Sequence, residues 1–167
     1  MTLEIRPVRP DEHEQAGRVT ALAYREFVGP GDSGWDEYLQ HIADVEGRAR
    51  SATVLVAVED GRILGSATLE LDGRIDDDDP PLRPGEAHIR MLGVDPEARG
   101  LGIARALLDA CFSLAREAGC TYVTLHTTQR MKIAQAMYQA LGFERLEDRV
   151  FPDGFVLLTY RKPIPTA

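Results

Sequence analysis

The chain holds 167 residues, 44% of them apolar, which is enough for one domain whose core needs no disulfide or metal to hold it. Lys and Arg number 19 against 27 Asp and Glu, a formal net charge of −8, which argues against a protein that coats nucleic acid or an anionic membrane. Cys111 and Cys120, with the scattered His13, His41, His88 and His126, form neither a disulfide framework nor a zinc spacing, and no metal is expected. The charged start from Thr2 to Arg6 lacks the apolar run of a signal peptide, and Val54 to Val58, the longest aliphatic stretch, is far too short to span a bilayer. A cytoplasmic, globular domain is expected.

Leu3 to Val8 alternates like a strand, and Pro10-Asp11 opens a helical stretch that runs to about Val28. Pro30-Gly31-Asp32-Ser33-Gly34 breaks it, and a second helix is predicted from Trp35 to Arg48, with Tyr38, Leu39, Ile42 and Val45 on one face. Strands follow over Ala52 to Val58 and Ile63 to Leu71, joined by Asp60-Gly61, the residue pair that a tight type I′ hairpin turn favours. Asp76-Asp77-Asp78-Asp79-Pro80-Pro81 is neither helix nor strand, so Gly73 to Gly85 reads as an exposed, solvated loop. The alternative is an electrostatic lure for a cationic substrate.

His88 to Val94 reads as a strand, Asp95-Pro96-Glu97 as a turn and Gly100 to Ala118 as a long helix. Its apolar stripe runs Leu101, Ala104, Leu107, Leu108, Cys111, Leu114, Ala115 and Ala118, with Gly119 at the left-handed C-cap position. A strand from Tyr122 to His126, a helix around Met131 to Leu141 closed by Gly142, and strands over Phe143 to Leu146 and Phe155 to Arg161 complete the chain, the last two lying around Pro152-Asp153-Gly154. No repeat, linker or second domain is visible.

The chemistry is concentrated in Leu92-Gly93-Val94-Asp95-Pro96-Glu97-Ala98-Arg99-Gly100-Leu101-Gly102-Ile103-Ala104-Arg105, which runs from strand through turn into helix. Glycines at a helix mouth let the backbone approach a ligand, and the first turn leaves amide N–H groups unpaired beside the positive end of the helix dipole. That combination favours a phosphate or pyrophosphate, and Arg99 and Arg105 could add charge-assisted contacts. A dinucleotide fingerprint fails, because Arg105 stands where the third glycine is needed, and a P-loop fails for want of Gly-Lys-Ser/Thr.

What fits is R-x-x-G-x-A, here Arg99, Gly102 and Ala104, preceded by the Leu92-Gly93-Val94 strand. This resembles the acyl-CoA-binding motif of the GNAT superfamily of N-acyltransferases. The run Gln135-Ala136-Met137-Tyr138-Gln139-Ala140-Leu141-Gly142-Phe143 is similar to that family's last helix entering its sixth strand, and the element order matches over essentially the whole chain. The resemblance implies an α/β fold of the α+β kind, a mixed, mostly antiparallel sheet of about seven strands with four helices in the order β-α-α-β-β-β-α-β-α-β-β. It implies that Leu92, Gly93 and Val94 pair with the pantetheine arm of acetyl-CoA in a wedge beside the Tyr122 to His126 strand. The amides of Gly100, Leu101, Gly102, Ile103, Ala104 and Arg105, with Arg99, would hold the pyrophosphate. A bulge at Gly93 would help aim an amide at the thioester oxygen.

Acyl transfer to a primary amine of a small molecule or peptide needs a base for the ammonium proton and an acid for the departing thiolate. Only about one alkyl amine in a thousand is unprotonated at neutral pH, and a phenol with pKa about 10 keeps its proton there. Tyr138 shares a helical face with Ala134, Met137 and Leu141 and could be a plain core residue; its position matches the family's thiol-protonating tyrosine. Glu86 and His88 are alternative bases on one face of the fourth strand. Met131 stands where many members carry Asn, which removes one polar contact to the arm. Tyr24, Phe27, Trp35 and Tyr38 could line the acceptor side or could be core. Cys120 has no visible activating base and Cys111 lies on the buried stripe, so direct attack in a ternary complex is expected rather than an acyl-cysteine. The alternative reading is a non-catalytic acyl-CoA-binding sensor; a homodimer is compatible with the resemblance.

Overall fold

The computed structural model describes residues 2–27, 35–74 and 79–165. The predicted break at Pro30 to Gly34, the end of the first helix at Val28, Asp76 to Asp78 and the Trp35 side chain lie outside the described residues. Among the described residues, eight strands form one sheet in the order β1-β2-β3-β4-β5-β8-β6, with β7 also on β8. They span β1 Glu4–Pro7, β2 Thr53–Glu59, β3 Arg62–Glu70, β4 Glu86–Val94, β5 Tyr122–Thr128, β6 Glu144–Arg145, β7 Arg149–Val150 and β8 Val156–Pro163. The helices are α1 His13–Arg25, α2 Trp35–Ala43, α3 Val45–Ala49, α4 Ile103–Glu117 and α5 Lys132–Ala140. All strand pairs are antiparallel except β4 with β5.

Alternation along the strands builds two cores. Val54, Val56 and Val58 of β2 pack with Ala16 and Val19 of α1 and Val45 of α3. Leu55 and Ala57 point the other way, into a larger core with Leu107, Leu108, Cys111 and Ala115 of α4, Val123 and Leu125 of β5, and Tyr160 of β8. The β2–β3 hairpin turns on Asp60 and Gly61 at φ 51° and 75°, as a type I′ turn requires.

Five elements differ from their sequence reading for identifiable reasons. The Trp35 to Arg48 helix is two helices, because the Asp44 carboxylate accepts from the Gly47 amide (3.0 Å) and starts α3 afresh, making five helices among the described residues where four were expected. Helix α4 begins at Ile103, since Gly102 is left-handed at φ 79°; Leu101 is therefore 67% exposed and off the buried stripe, and Ala118 is exposed at the other end. The final segment gains β7, whose hairpin with β8 turns over Pro152-Asp153-Gly154, closed by the Phe151 amide on the Phe155 carbonyl (2.8 Å). The bulge in β4 sits at Met91 (φ 55°), not Gly93: β3 Ser66 pairs with Gly93 and Thr68 with Arg90, so Met91 and Leu92 oppose Ala67 alone. The loop after β3 is not wholly solvated, because Arg74 and Asp79 turn inward.

Gly93 has a packing role instead. A Cβ there would lie 2.9 Å from Ala23 Cβ and 3.6 Å from a Tyr24 ring carbon, so its absence lets α1 lie against β4. Gly93→Ala should therefore cost about 1–3 kcal/mol through overpacking. Urea unfolding should show a lower midpoint with unchanged slope, and an unshifted midpoint would mean that α1 is not held this closely.

Candidate active site

Strands β4 and β5 run side by side only from Glu86–Tyr122 to Ile89–Leu125. Beyond that pair they part, and a cavity of about 740 Å³ occupies the gap. Its walls include Leu92, Gly93 and Val94 on one side, His126 and Thr127 on the other, Tyr24 above, and Met131, Met137 and Tyr138 of the α5 region. Pockets occur at such places because strands that separate leave a crevice beyond their carboxyl ends.

One end of the cavity is the mouth of α4. Asp95 caps the preceding 3₁₀ turn by accepting from the Glu97 amide (3.0 Å), and the chain then passes through Gly100 and Gly102, both at positive φ. Gly102 offers no side-chain cap, and the first backbone bond of the helix is Ala106 N–H to the Gly102 carbonyl (3.0 Å). The Ile103, Ala104 and Arg105 amides are thus left without an intrahelical partner, at the positive end of the helix. A side chain at Gly100 or Gly102 would meet nothing within 4 Å, so an approaching group has open room. Arg99, Gly100, Gly102, Ile103, Ala104 and Arg105 all line the cavity; Leu101 does not.

Two arginines bind the cavity's rims to the end of α1. Arg99 forms an ion pair with Glu26, and Arg130 Nη1 donates to the Phe27 carbonyl (2.9 Å). Tyr24 donates its hydroxyl to the Leu92 carbonyl (3.1 Å) in the splayed part of β4. Sequence reading did not single out Arg130, Lys132 or His126; the signal for them is topological, since His126 lies on the strand that parts from β4 and Arg130 and Lys132 follow it.

At the inner end stands Tyr138, 5% exposed and packed against the rings of Phe143 (5.5 Å) and Tyr160 (5.7 Å). Burial, with a smaller contribution from Tyr160, pushes its phenol well above the ordinary range, so it holds its proton. Glu86 and His88 lie outside the lining but belong to one hydrogen-bonded chain. Thr124 donates its hydroxyl proton to Glu86 Oε2 (2.5 Å), so His88 Nδ1, 2.8 Å from Thr124 Oγ1, is assigned as the donor to that hydroxyl. His88 Nε2 is then a buried acceptor without a hydrogen-bond partner. The His88 ring lies 4.8 Å from that of His126, whose Nδ1 is 3.1 Å from Thr159 Oγ1 and which does line the cavity.

Both imidazoles are held neutral. Burial is the main cause for each; His126 falls to about 4, with Arg74, Arg90 and Arg149 lowering it and Asp79 opposing them. Cys111 is pushed up to about 12 by burial, and neither cysteine lines the cavity, so no thiolate is available there. Among the described residues, no cluster of three or more His, Cys, Asp or Glu could hold a metal, and no helix is long and apolar enough to cross a membrane.

The neutral histidines couple folding to pH. Between the ordinary value of 6.5 and about 4, the unfolded chain binds a proton that folded His126 refuses, so stability falls as pH falls through that window. Glu12, held at about 2 by its bond from Arg6, loses its contribution only below its ordinary 4.5. Chemical unfolding between about pH 7 and about pH 4.5 should show the decline in the wild type and a shallower one in His126→Gln. A flat wild-type profile would contradict a buried neutral pair.

The Acetyltransferase (GNAT) family model matches residues 17–143. Mycothiol acetyltransferase of Geodermatophilus obscurus is 29% identical over 144 residues, 86% of this chain and 45% of that protein. Glucosamine 6-phosphate N-acetyltransferase of Trypanosoma brucei brucei is 34% identical over 112 residues, 65% of this chain and 70% of that one. The chain spans less than half the length of several curated relatives it matches. In fold, it resembles the PaiA N-acetyltransferase of Thermoplasma acidophilum, solved in complex with coenzyme A, at TM-score 0.74 and 16% identity over 95% of this chain and 98% of that one. The chain belongs to the GNAT acetyltransferase family.

Proposed function

We propose that this protein is an N-acetyltransferase that moves an acetyl group from acetyl-CoA to a primary amine, by direct attack while both substrates are bound. The observation that carries this reading is the continuous cavity between β4 and β5, with an uncapped helix mouth at one end and a buried phenol and a neutral imidazole at the other. When bound, acetyl-CoA supplies a thioester, an acyl carbon already joined to a leaving group.

The Ile103, Ala104 and Arg105 amides, with the Arg105 side chain, hold the pyrophosphate, and Arg99 exchanges or shares its bond to Glu26 to join them. Backbone groups of Leu92, Gly93 and Val94, beyond the last β4–β5 pair, take the pantetheine arm as a missing strand would be taken. Met131 and Met137 give the arm an apolar wall in place of a polar contact.

His126 meets the amine because it is the imidazole on the cavity wall; burial makes it a weak base, so it takes the proton not from the free ammonium but from the nitrogen as the C–N bond forms and that nitrogen turns acidic. His88, Thr124 and Glu86 stand behind it as a series ending in a carboxylate, which favours a proton arriving on the histidines. The two bases suggested by the sequence thus serve together rather than as alternatives. Tyr138 gives its hydroxyl proton to the departing sulfur as the C–S bond breaks and the C–N bond forms. One proton leaves Tyr138 and one arrives on His126, and exchange with solvent restores both.

The relatives named above acetylate different molecules by name, so the acceptor is set by this chain's own residues. The test is thiol release from acetyl-CoA over a panel of amines. Tyr138→Phe should lower kcat by about 10²–10⁴-fold while leaving the dissociation constant for acetyl-CoA within about twofold. Unchanged turnover would remove Tyr138 from the acid role. Binding without turnover of any amine would favour a non-catalytic acyl-CoA sensor.

A further inference from the structure

Where β4 borders the cavity, its backbone groups point in directions that its neighbours fix. The Asp95 N–H donates to the Leu64 carbonyl of β3 (2.8 Å). Alternation along the strand then turns the backbone groups of Gly93, paired with Ser66, toward β3 as well, and those of Leu92 and Val94 toward the gap. Tyr24 agrees with that direction: it lines the cavity from α1, and its hydroxyl donates to the Leu92 carbonyl (3.1 Å).

Just before Leu92 the chain passes through Met91 at φ 55°, a left-handed conformation that a residue with a side chain keeps only when its surroundings fix it. Restraints stand on both sides. Arg90 pairs with Thr68 and Gly93 with Ser66, and Ala23 of α1 lies over Gly93, where a Cβ would come to 2.9 Å from it. Between those pairs Met91 and Leu92 share one position on β3, and the Tyr24 hydroxyl holds Leu92 from the other side. Burial pushes the Tyr24 phenol well above its ordinary range, so the hydroxyl keeps its proton and remains a donor.

Resting on the transferase reading, we propose that Tyr24 is a positioning residue for acyl transfer: by holding the Leu92 carbonyl it fixes the course of β4 where the strand leaves Met91 and meets the pantetheine arm. Tyr24 acts through the β4 backbone and has no part in the proton transfers. Affinity for acetyl-CoA is spread over the helix mouth and the length of the arm, whereas the rate depends on where the thioester stops relative to Tyr138 and His126. A misplacement of about 1 Å can cost about 10²-fold in rate. The hydroxyl should therefore count in kcat far more than in binding.

The test is Tyr24→Phe, which keeps the ring beside Gly93 and removes the hydroxyl. In the protein without ligand, amide exchange from Leu92 to Asp95 should quicken about fivefold or more, with the α4 amides unchanged. Calorimetry should give a dissociation constant for acetyl-CoA within about twofold of the wild type, while kcat for an accepted amine falls about tenfold or more and its KM changes little. Equal exchange in the two proteins, a kcat within about twofold, or a loss of acetyl-CoA affinity as large as the loss of kcat would each overturn the proposal. Faster exchange in α4 as well would mean a general loosening and would overturn it too. A wild type that binds acetyl-CoA yet acetylates no amine sinks the transferase reading and this role with it, and that failure is read from the wild type alone.

Discussion

The parallel pairing of β4 with β5 stops at Ile89–Leu125, and the site follows from that stop. Each strand is held by its other neighbour beyond this point. β4 stays on β3 as far as Val94, through the Met91 bulge, and β5 stays on β8 over all seven of its residues. Neither can turn back toward the other without giving up antiparallel bonds, so the gap is a built feature of the sheet. Backbone groups along its edges still need partners, as buried polar groups do. Tyr24 supplies one at Leu92, and an extended amide-bearing ligand arm can supply others.

The two faces of the sheet divide the labour. Toward α4 the strands present Ala67, Leu69, Ala87, Ile89, Val123 and Leu125, a packed apolar layer that fixes the helix whose mouth is proposed to meet the phosphates. Toward α1 the same strands present Thr68, Glu70, His88, Arg90, Thr124 and His126, a polar layer beneath the acceptor side. Alternation of side chains thus places the proposed donor anchor, with Tyr138 in the core on its side, and the histidines proposed to take the amine's proton on opposite sides of one backbone. At Gly93 and Gly65 helices lie close on either face: α1 against Gly93, and Ile103 and Leu107 of α4 against Gly65.

Much of this was legible in the chain because local chemistry decides it. Asp60-Gly61 can make a tight turn, Gly102 and Gly119 can take the left-handed conformation at the two ends of α4, and Arg99-x-x-Gly102-x-Ala104 marks the helix mouth. Other features depend on contacts distant in sequence. The split at Asp44 turns on a carboxylate choosing the Gly47 amide, the Met91 bulge on register against β3, and the inward turn of Asp79 on arginines from β4 and β7. Glu86 and His88 read as rivals on one strand, because the hydroxyl joining them belongs to Thr124 on the next. His126 carried no local signal, and only the parting of the strands gives it a wall of the cavity.

The central claim is that the gap and the helix mouth together form one acyl-CoA site. Calorimetric titration of the protein with acetyl-CoA, alongside a Gly102→Glu variant whose fold is verified by circular dichroism, tests it most directly. The position has free space around it, so the substitution acts mainly by putting negative charge and bulk where the pyrophosphate would be held, beyond a modest backbone cost at positive φ of about 1–2 kcal/mol. Saturable one-to-one binding by the wild type, lost in the variant, is the expected result. Absence of binding by the folded wild type, or equal binding by the folded variant, would contradict it.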